Sequence, residues 1–258
     1  MTNREVLRIA MEQSAIDLCA KATDFEKQEN VIVESHESGN ARRYLKLPFS
    51  CQLVSYGNNV VASVSPEFRD MTAHYLASYP MEHCFETPNL HVLNRALEEK
   101  GQRICFMAEY FLPDLNALRP LQCGFETRVL YPADFADLYL PQWSNALCES
   151  RKELDALAVG AFDGARLVGL AGASADCDTM WQIGIDVLPE YRRQGIASAL
   201  TARLALEILA RDKVPFYCAA WCNVKSVRNA IKSGFRPAWV EMTAKPCAFV
   251  EEMNKPLR

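Results

Sequence analysis

The run from Ile183 to Leu209 constrains the fold of this chain more than any other, because it passes from a strand pattern into a helix pattern through a turn rich in special residues. Ile183 to Val187 are mostly apolar and β-branched, Pro189 ends that run, and Gly195 stands before the next element. Ala199, Leu200, Arg203, Leu204, Leu206, Glu207, Ile208 and Leu209 then combine strong helix formers with an apolar stripe, and Asp212, Lys213 and Pro215 mark its end. The first turn of a helix carries unpaired N–H groups and the positive end of the dipole, so this turn suits a pyrophosphate. Arg192 and Arg193 add charge at its rim, Gly195 lets the backbone approach a ligand, and Gln194, Ile196, Ala197 and Ser198 complete the candidate cradle.

Downstream, Val214 to Trp221 reads as a strand, Asn223 breaks it, and Val224 to Ser233 has helical character before Gly234 supplies a stop and Phe235 an apolar anchor. Strand, glycine turn, helix, strand, Asn, helix and Gly-Phe in this order resemble the GNAT acetyltransferase superfamily. Its acetyl-CoA loop, Arg/Gln-x-x-Gly-x-Gly/Ala, is matched by Arg192, Gly195 and Ala197, and its second cofactor motif by Asn223-Val224-Lys225-Ser226 through Gly234-Phe235. The resemblance covers about Phe125 to Val240. Upstream, Leu157 to Phe162 and Ala165 to Ala173 are apolar segments joined at Asp163-Gly164, a hairpin signal. Phe125 to Leu130 would be the first strand of the resemblance, and Pro132 followed by Asp134, Phe135, Leu138 and Tyr139 its first helix.

At 258 residues and 50% hydrophobic, the chain can bury one large core or two smaller ones. Pro113 and Pro120 bracket a segment without periodicity, which predicts a boundary near Gln122. The expected fold is mixed α+β: a GNAT-like twisted mixed sheet flanked by helices over 122–258, and a smaller α+β domain over 1–121. In the latter, the patterns predict a helix over 3–22, a hairpin through Gly57-Asn58-Asn59, helices over 67–77 and 89–99, and a strand over 103–111.

Residues 1–120 hold 12 Lys and Arg against 16 Asp and Glu, and residues 121–258 hold 16 of each, so neither half offers a basic face for nucleic acid. An acidic first half would suit a cationic amine, although many soluble proteins are this acidic. No secretory h-region opens the chain and no apolar run reaches bilayer-spanning length, so a cytoplasmic protein without membrane attachment is expected. A homodimer is compatible with the sequence. The ten cysteines form no Cys-x-x-Cys, and those at Cys51, Cys105 and Cys218 sit in apolar runs, which reads as small core residues rather than disulfides or a metal site. His36, His74, His83 and His91 share no metal spacing, and the polar stretch around His36 reads as a solvated loop.

The resemblance implies acetyl transfer from acetyl-CoA, as cosubstrate, to an amine of a small molecule or peptide. It places cofactor contacts on the cofactor strand at Ile185 and Val187, with the N–H at or beside Val187 as oxyanion donor, a contact to the pantetheine arm at Asn223, and a further cofactor contact at Ser226. Asn223 is equally a good helix cap. The chain departs from the family at two positions. Seven residues after Asn223, where many members carry a tyrosine that protonates the thiolate, it has Ala230; the base glutamate of some members is matched only by Trp181 or Gln182. Asp186, Tyr191, Tyr217, Cys222 and Glu241 are then the acid or base candidates by proximity in the inferred fold, with Tyr217 and Cys222 equally readable as packing residues. Trp181 and Trp221 read first as core, with an acceptor pocket as the other reading. A rival of another class is a non-catalytic CoA or acyl-CoA binding module. A third reading, an enzyme using a different anionic cofactor at the same helix terminus, lacks the glycine loops that adenosine nucleotides call for.

Overall fold

The structure of the protein is a computed structural model that describes residues 1–255. In chain order its elements are α1 (Asn3–Leu18), β1 (Val31–Glu34), β2 (Cys51–Ser55), β3 (Val61–Val64), α2 (Arg69–Ser78), α3 (Thr87–Glu98), β4 (Gln102–Pro113), β5 (Glu126–Leu130), β6 (Asp155–Asp163), β7 (Arg166–Ser174), β8 (Met180–Val187), α4 (Ile196–Leu209), β9 (Val214–Ala219), α5 (Val224–Lys232), β10 (Phe235–Pro246) and α6 (Cys247–Met253). Among the described residues no helix is long and apolar enough to cross a membrane.

Two compact units divide the chain. The first comprises Met1–Ala10 and Tyr110–Ala238, the second Met11–Glu109 and Trp239–Arg258. This differs from a single division after residue 121: β4, β10 and α1 each run from one unit into the other, so the units are interleaved in sequence. The composition shift at Pro113 and Pro120 marks a loop inside the first unit rather than its edge.

In the first unit the strand order is β10-β4-β9-β8-β7-β6-β5. Strands β5 to β8 are antiparallel neighbours, and β8 pairs with β9 in parallel. Alternation along β6 sends Leu157, Val159 and Ala161 to one face, where they meet Ile196, Leu200, Leu204 and Ile208 of α4 in a core that excludes water. Each such aliphatic side chain contributes on the order of 2 kcal/mol on burial. The intervening Ala158, with Leu170 of β7, turns to the opposite face and packs against Phe135, Trp143, Ala146 and Leu147.

The expected helix from Pro132 is absent. Residues 131–140 form turns held by local bonds, among them the Asp134 carboxylate accepting from the Tyr131 N–H (2.8 Å), followed by a short 3-10 turn at Pro141–Trp143. Phe135 is buried all the same, so the apolar positions were read correctly while their backbone was not.

The second unit has strand order β1-β3-β2-β10-β4, and α2 and α3 supply Tyr75, Leu76, Leu93 and Leu97 to its core beside Leu53, Ala62 and Met242. The hairpin through Gly57-Asn58-Asn59 forms as expected between antiparallel β2 and β3, with Gly57 at φ +100°. The N-terminal helix ends at Leu18, four residues short of the expected 22, where Cys19 takes φ +61°.

Candidate functional site

Pairing between β8 and β9 stops early. It holds for Met180↔Val214, Trp181↔Pro215 and Gln182↔Phe216, while β8 continues to Val187 and β9 to Ala219. The side of β8 that faces away from β7 therefore carries backbone groups without a strand partner beyond residue 182. Which groups these are follows from the ladder with β7. Leu188 N–H donates to Val168 O (3.0 Å), and the register runs unbroken from Gly169↔Val187 to Ser174↔Gln182. Alternation of an antiparallel ladder then directs the N–H and C=O of residues 187, 185 and 183 toward the gap. Val187 O accepts from Arg192 Nε there (3.1 Å). Ile185 and Val187 thus present backbone to the gap, while their side chains pack against the core under α4.

The turn that follows presents backbone donors. Arg193 and Gly195 both adopt left-handed backbone, at φ +65° and +81°, and the Gly195 cap leaves the amides of Ile196, Ala197 and Ser198 without a preceding helical turn to accept them. Arg192, Arg193 and Gln194 are exposed beside these amides. Ile196 is buried, so it offers its amide alone, and the Ser198 hydroxyl donates back to Gly195 O (3.1 Å), holding the first turn closed. A polyphosphate needs N–H donors, a positive rim and close backbone approach, and these residues supply all three.

The loop is braced from the tip of the β6–β7 hairpin. Tyr191 OH donates to the Asp163 carboxylate (2.8 Å), Arg166 pairs with Glu190 (2.6 Å), and the Arg166 guanidinium lies over the Tyr191 ring. The bond to Asp163 raises the pKa of the Tyr191 phenol.

On β9, Tyr217 is buried against the α4 side of the sheet with its hydroxyl 2.7 Å from that of Ser226 in the first turn of α5. Burial pushes its phenol pKa up. Asn223 caps α5, its side-chain oxygen accepting from the Ser226 N–H (3.2 Å). Ala230, at the position of the missing tyrosine, is fully buried in the same core. The exchange Tyr217→Phe removes one hydroxyl pair and is expected to cost about 1 kcal/mol of stability, read by denaturant midpoint, since a net hydrogen bond is worth about that much.

The remaining acid or base candidates are occupied or displaced. Glu241 belongs to the second unit, where it is buried and accepts from Arg42 Nη2 (2.6 Å), Trp239 Nε1 (2.7 Å) and Gln52 Nε2 (3.2 Å). These three donors, a buried guanidinium among them, hold Glu241 as a structural carboxylate, which corrects its reading as a free acid or base. Asp186 accepts from the Asn145 N–H (2.8 Å), Asn145 Nδ2 (2.7 Å) and the Ala146 N–H (2.9 Å), which makes it a clamp on that segment. Cys222 is exposed past the end of β9 rather than on the strand, and Trp221 is exposed beside it. Trp181 packs against the core, and Gln182 donates to Cys218 Sγ (3.0 Å) at the rung where β8 and β9 separate.

Sequence reasoning passed over Asn145 and the glycines beneath it. A Cβ on Gly172 would lie 1.9 Å from Ala146 O, and one on Gly184 would lie 1.8 Å from Asn145 O. These two glycines are direct cross-strand partners, so together they form a bare platform on which the 145–146 peptide rests. Glycine inside a strand signals close backbone approach, and that signal was present in the sequence.

All ten cysteines are free thiols, and no cluster of potential metal ligands occurs among the described residues.

Fold and site define a mixed α+β protein with backbone amide donors at the N-terminus of α4 beside a split pair of parallel strands. Residues 134–238 match the family model of GNAT acetyltransferases. Solved structures similar to this chain include a GNAT-family protein from Novosphingobium aromaticivorans (18% identity, 56% of this chain and 66% of that one, TM-score 0.45). Two GCN5-related N-acetyltransferases are also similar: one from Sphaerobacter thermophilus (16%, 73% and 72%, TM-score 0.46) and one from Kribbella flavida (16%, 60% and 62%, TM-score 0.44). The chain thus spans just under two thirds of the length of the first and of the third. No curated protein matches the sequence.

Proposed function

We propose that the protein is an acetyl-CoA-dependent N-acetyltransferase acting on an amine of a small molecule or peptide. The observation that carries this reading is the unpaired edge of β8 beyond Gln182 leading directly into the Gly195 turn. An extended arm and a polyphosphate need those two features in that order. When bound, acetyl-CoA supplies an acyl thioester. Arg192, Arg193 and the amides of 195–198 hold the phosphates, and the gap-facing backbone of Ile185 and Val187 binds the arm. The Val187 N–H is the donor for charge developing on the acyl oxygen, with the Ile185 N–H directed to the same side. Asn223, through the amide nitrogen that its capping role leaves open, and Ser226 flank the opposite edge.

No carboxylate of the first unit is free beside the gap, so the chain works by orientation and carbonyl polarisation. A departing thiolate with a pKa near 8.5 tolerates the absence of a strong acid, and the Tyr217–Ser226 hydroxyl pair, which joins β9 to the first turn of α5, is the proton donor proposed for it. Without a protein base, kcat/KM for an amine follows the amine's own deprotonation. It is expected to rise about tenfold per pH unit between 6.5 and 8.5, measured as thiol release.

Calorimetric titration with acetyl-CoA, followed by thiol release over a panel of amines and peptides, tests the reading. Binding with release supports it, and absence of binding overturns it. Binding without release favours the non-catalytic CoA-binding module, the reading that buried Ala230 and the occupied Glu241 favour.

A further inference from the structure

We infer that the Asn145 side-chain oxygen receives the acceptor amine and that Asp186 is the positioning residue that aims it; this rests on the acetyltransferase reading above. The 145–146 peptide lies on the platform of Gly172 and Gly184, with its carbonyls against the glycines and its two N–H groups on one oxygen of Asp186. The other Asp186 oxygen takes Asn145 Nδ2 (2.7 Å). A carboxylate only accepts, so the amide must turn its nitrogen inward and its oxygen outward, which settles an orientation otherwise ambiguous for asparagine. Asn145 is exposed, and its Oδ1 has no hydrogen-bond partner among the described residues. The result is a fixed acceptor of N–H bonds standing on β8 next to the gap.

Charge selects what binds there. All three donors to Asp186 are neutral, and no ion pair among the described residues involves it, so its negative charge is not cancelled locally. A lone carbonyl oxygen beside an uncompensated carboxylate favours an ammonium over a neutral alcohol of the same shape. An acceptor that arrives as an ammonium ion is thereby favoured, and it loses its proton to water before attack.

The test uses the full chain saturated with acetyl-CoA, with n-butylammonium as probe and 1-butanol as its neutral counterpart. Binding is read from the Asn145 side-chain amide resonance, identified by its loss in Asn145→Ala, and from neighbouring backbone amides. The native protein is expected to bind butylammonium at least fivefold more tightly than butanol. In Asn145→Ala, which keeps both backbone bonds to Asp186, butylammonium affinity is expected to fall at least fivefold while acetyl-CoA affinity stays within twofold. In Asp186→Asn the preference for the cation over the alcohol is expected to vanish. Equal butylammonium binding in native protein and Asn145→Ala would overturn the inference, as would an Asn145 resonance indifferent to the probe or loss of acetyl-CoA affinity in Asn145→Ala. If the native protein gives no heat with acetyl-CoA before any amine is added, the cofactor reading falls first and this inference with it.

Discussion

Replacing Arg42 with methionine is expected to lower the stability of the protein by about 3–5 kcal/mol, because removing one partner strands buried charge. Arg42 is 3% exposed. Its Nε bonds Asp17, its Nη2 bonds Glu241 at 2.6 Å, and its Nη1 reaches the Tyr44 hydroxyl at 2.8 Å. Asp17 also accepts from Gln13 Nε2 (3.0 Å) and the Arg42 N–H (2.8 Å). Two buried carboxylates thus share one guanidinium, and methionine would leave both uncompensated in a medium that penalises isolated charge heavily. For a chain of this size the loss corresponds to a Tm lower by roughly 10 °C. Adding Asp17→Asn and Glu241→Gln removes both charges and is expected to restore part of the loss. A variant as stable as the native protein would show that the network contributes nothing net, an outcome that buried ion pairs replaced by apolar side chains do sometimes give.

That network also marks where sequence reading runs out. Glu241 and Arg42 lie 199 positions apart and meet because β10 pairs with β2 inside the second unit. Nothing local to Glu241 distinguishes a carboxylate locked by arginine from one free to take a proton. Elements set by local chemistry were legible: the Asp163-Gly164 hairpin, the Gly57 hairpin, and the strand, turn and helix around Gly195 all depend on residues within a few positions of one another. The segment 131–147 was not: local turns hold 131–140, and its end at 145–146 is fixed by Asp186 on β8 and by the glycine platform rather than by periodicity. Proline at 132 followed by spaced apolar residues satisfies a helix pattern, yet Phe135, Trp143 and Leu147 reach the same core from turns. The division into units failed for a related reason. Strands that cross from one unit to the other leave no linker in the sequence, whereas the proline-bounded loop that resembled one is pinned by Asp114 N–H to Gly234 O (2.8 Å) within the first unit.

The legible part of the site gives the largest expected functional effect. Gly195→Asp is expected to weaken acetyl-CoA binding at least a hundredfold, about 2.8 kcal/mol, by calorimetry. Gly195 sits at φ +81° and ψ −2° as the cap of α4, and an added Cβ would meet nothing nearer than Gln122 O at 3.9 Å. Steric exclusion by the protein is therefore not the cause. Aspartate tolerates left-handed backbone better than most residues, so the variant is expected to stay folded, with a lower Tm from the strain at φ +81°. Its carboxylate would occupy the helix terminus in place of the pyrophosphate. At an effective dielectric near 20, a like charge about 4 Å away costs about 4 kcal/mol, enough to account for the loss. Gly195→Asn has nearly the same shape without the charge and is expected to retain most of the affinity. The contrast between the two variants separates electrostatic occupation of the cradle from backbone strain. Equal affinity in the aspartate variant and the native protein would mean that the phosphates bind elsewhere, and the split between β8 and β9 would then need another occupant.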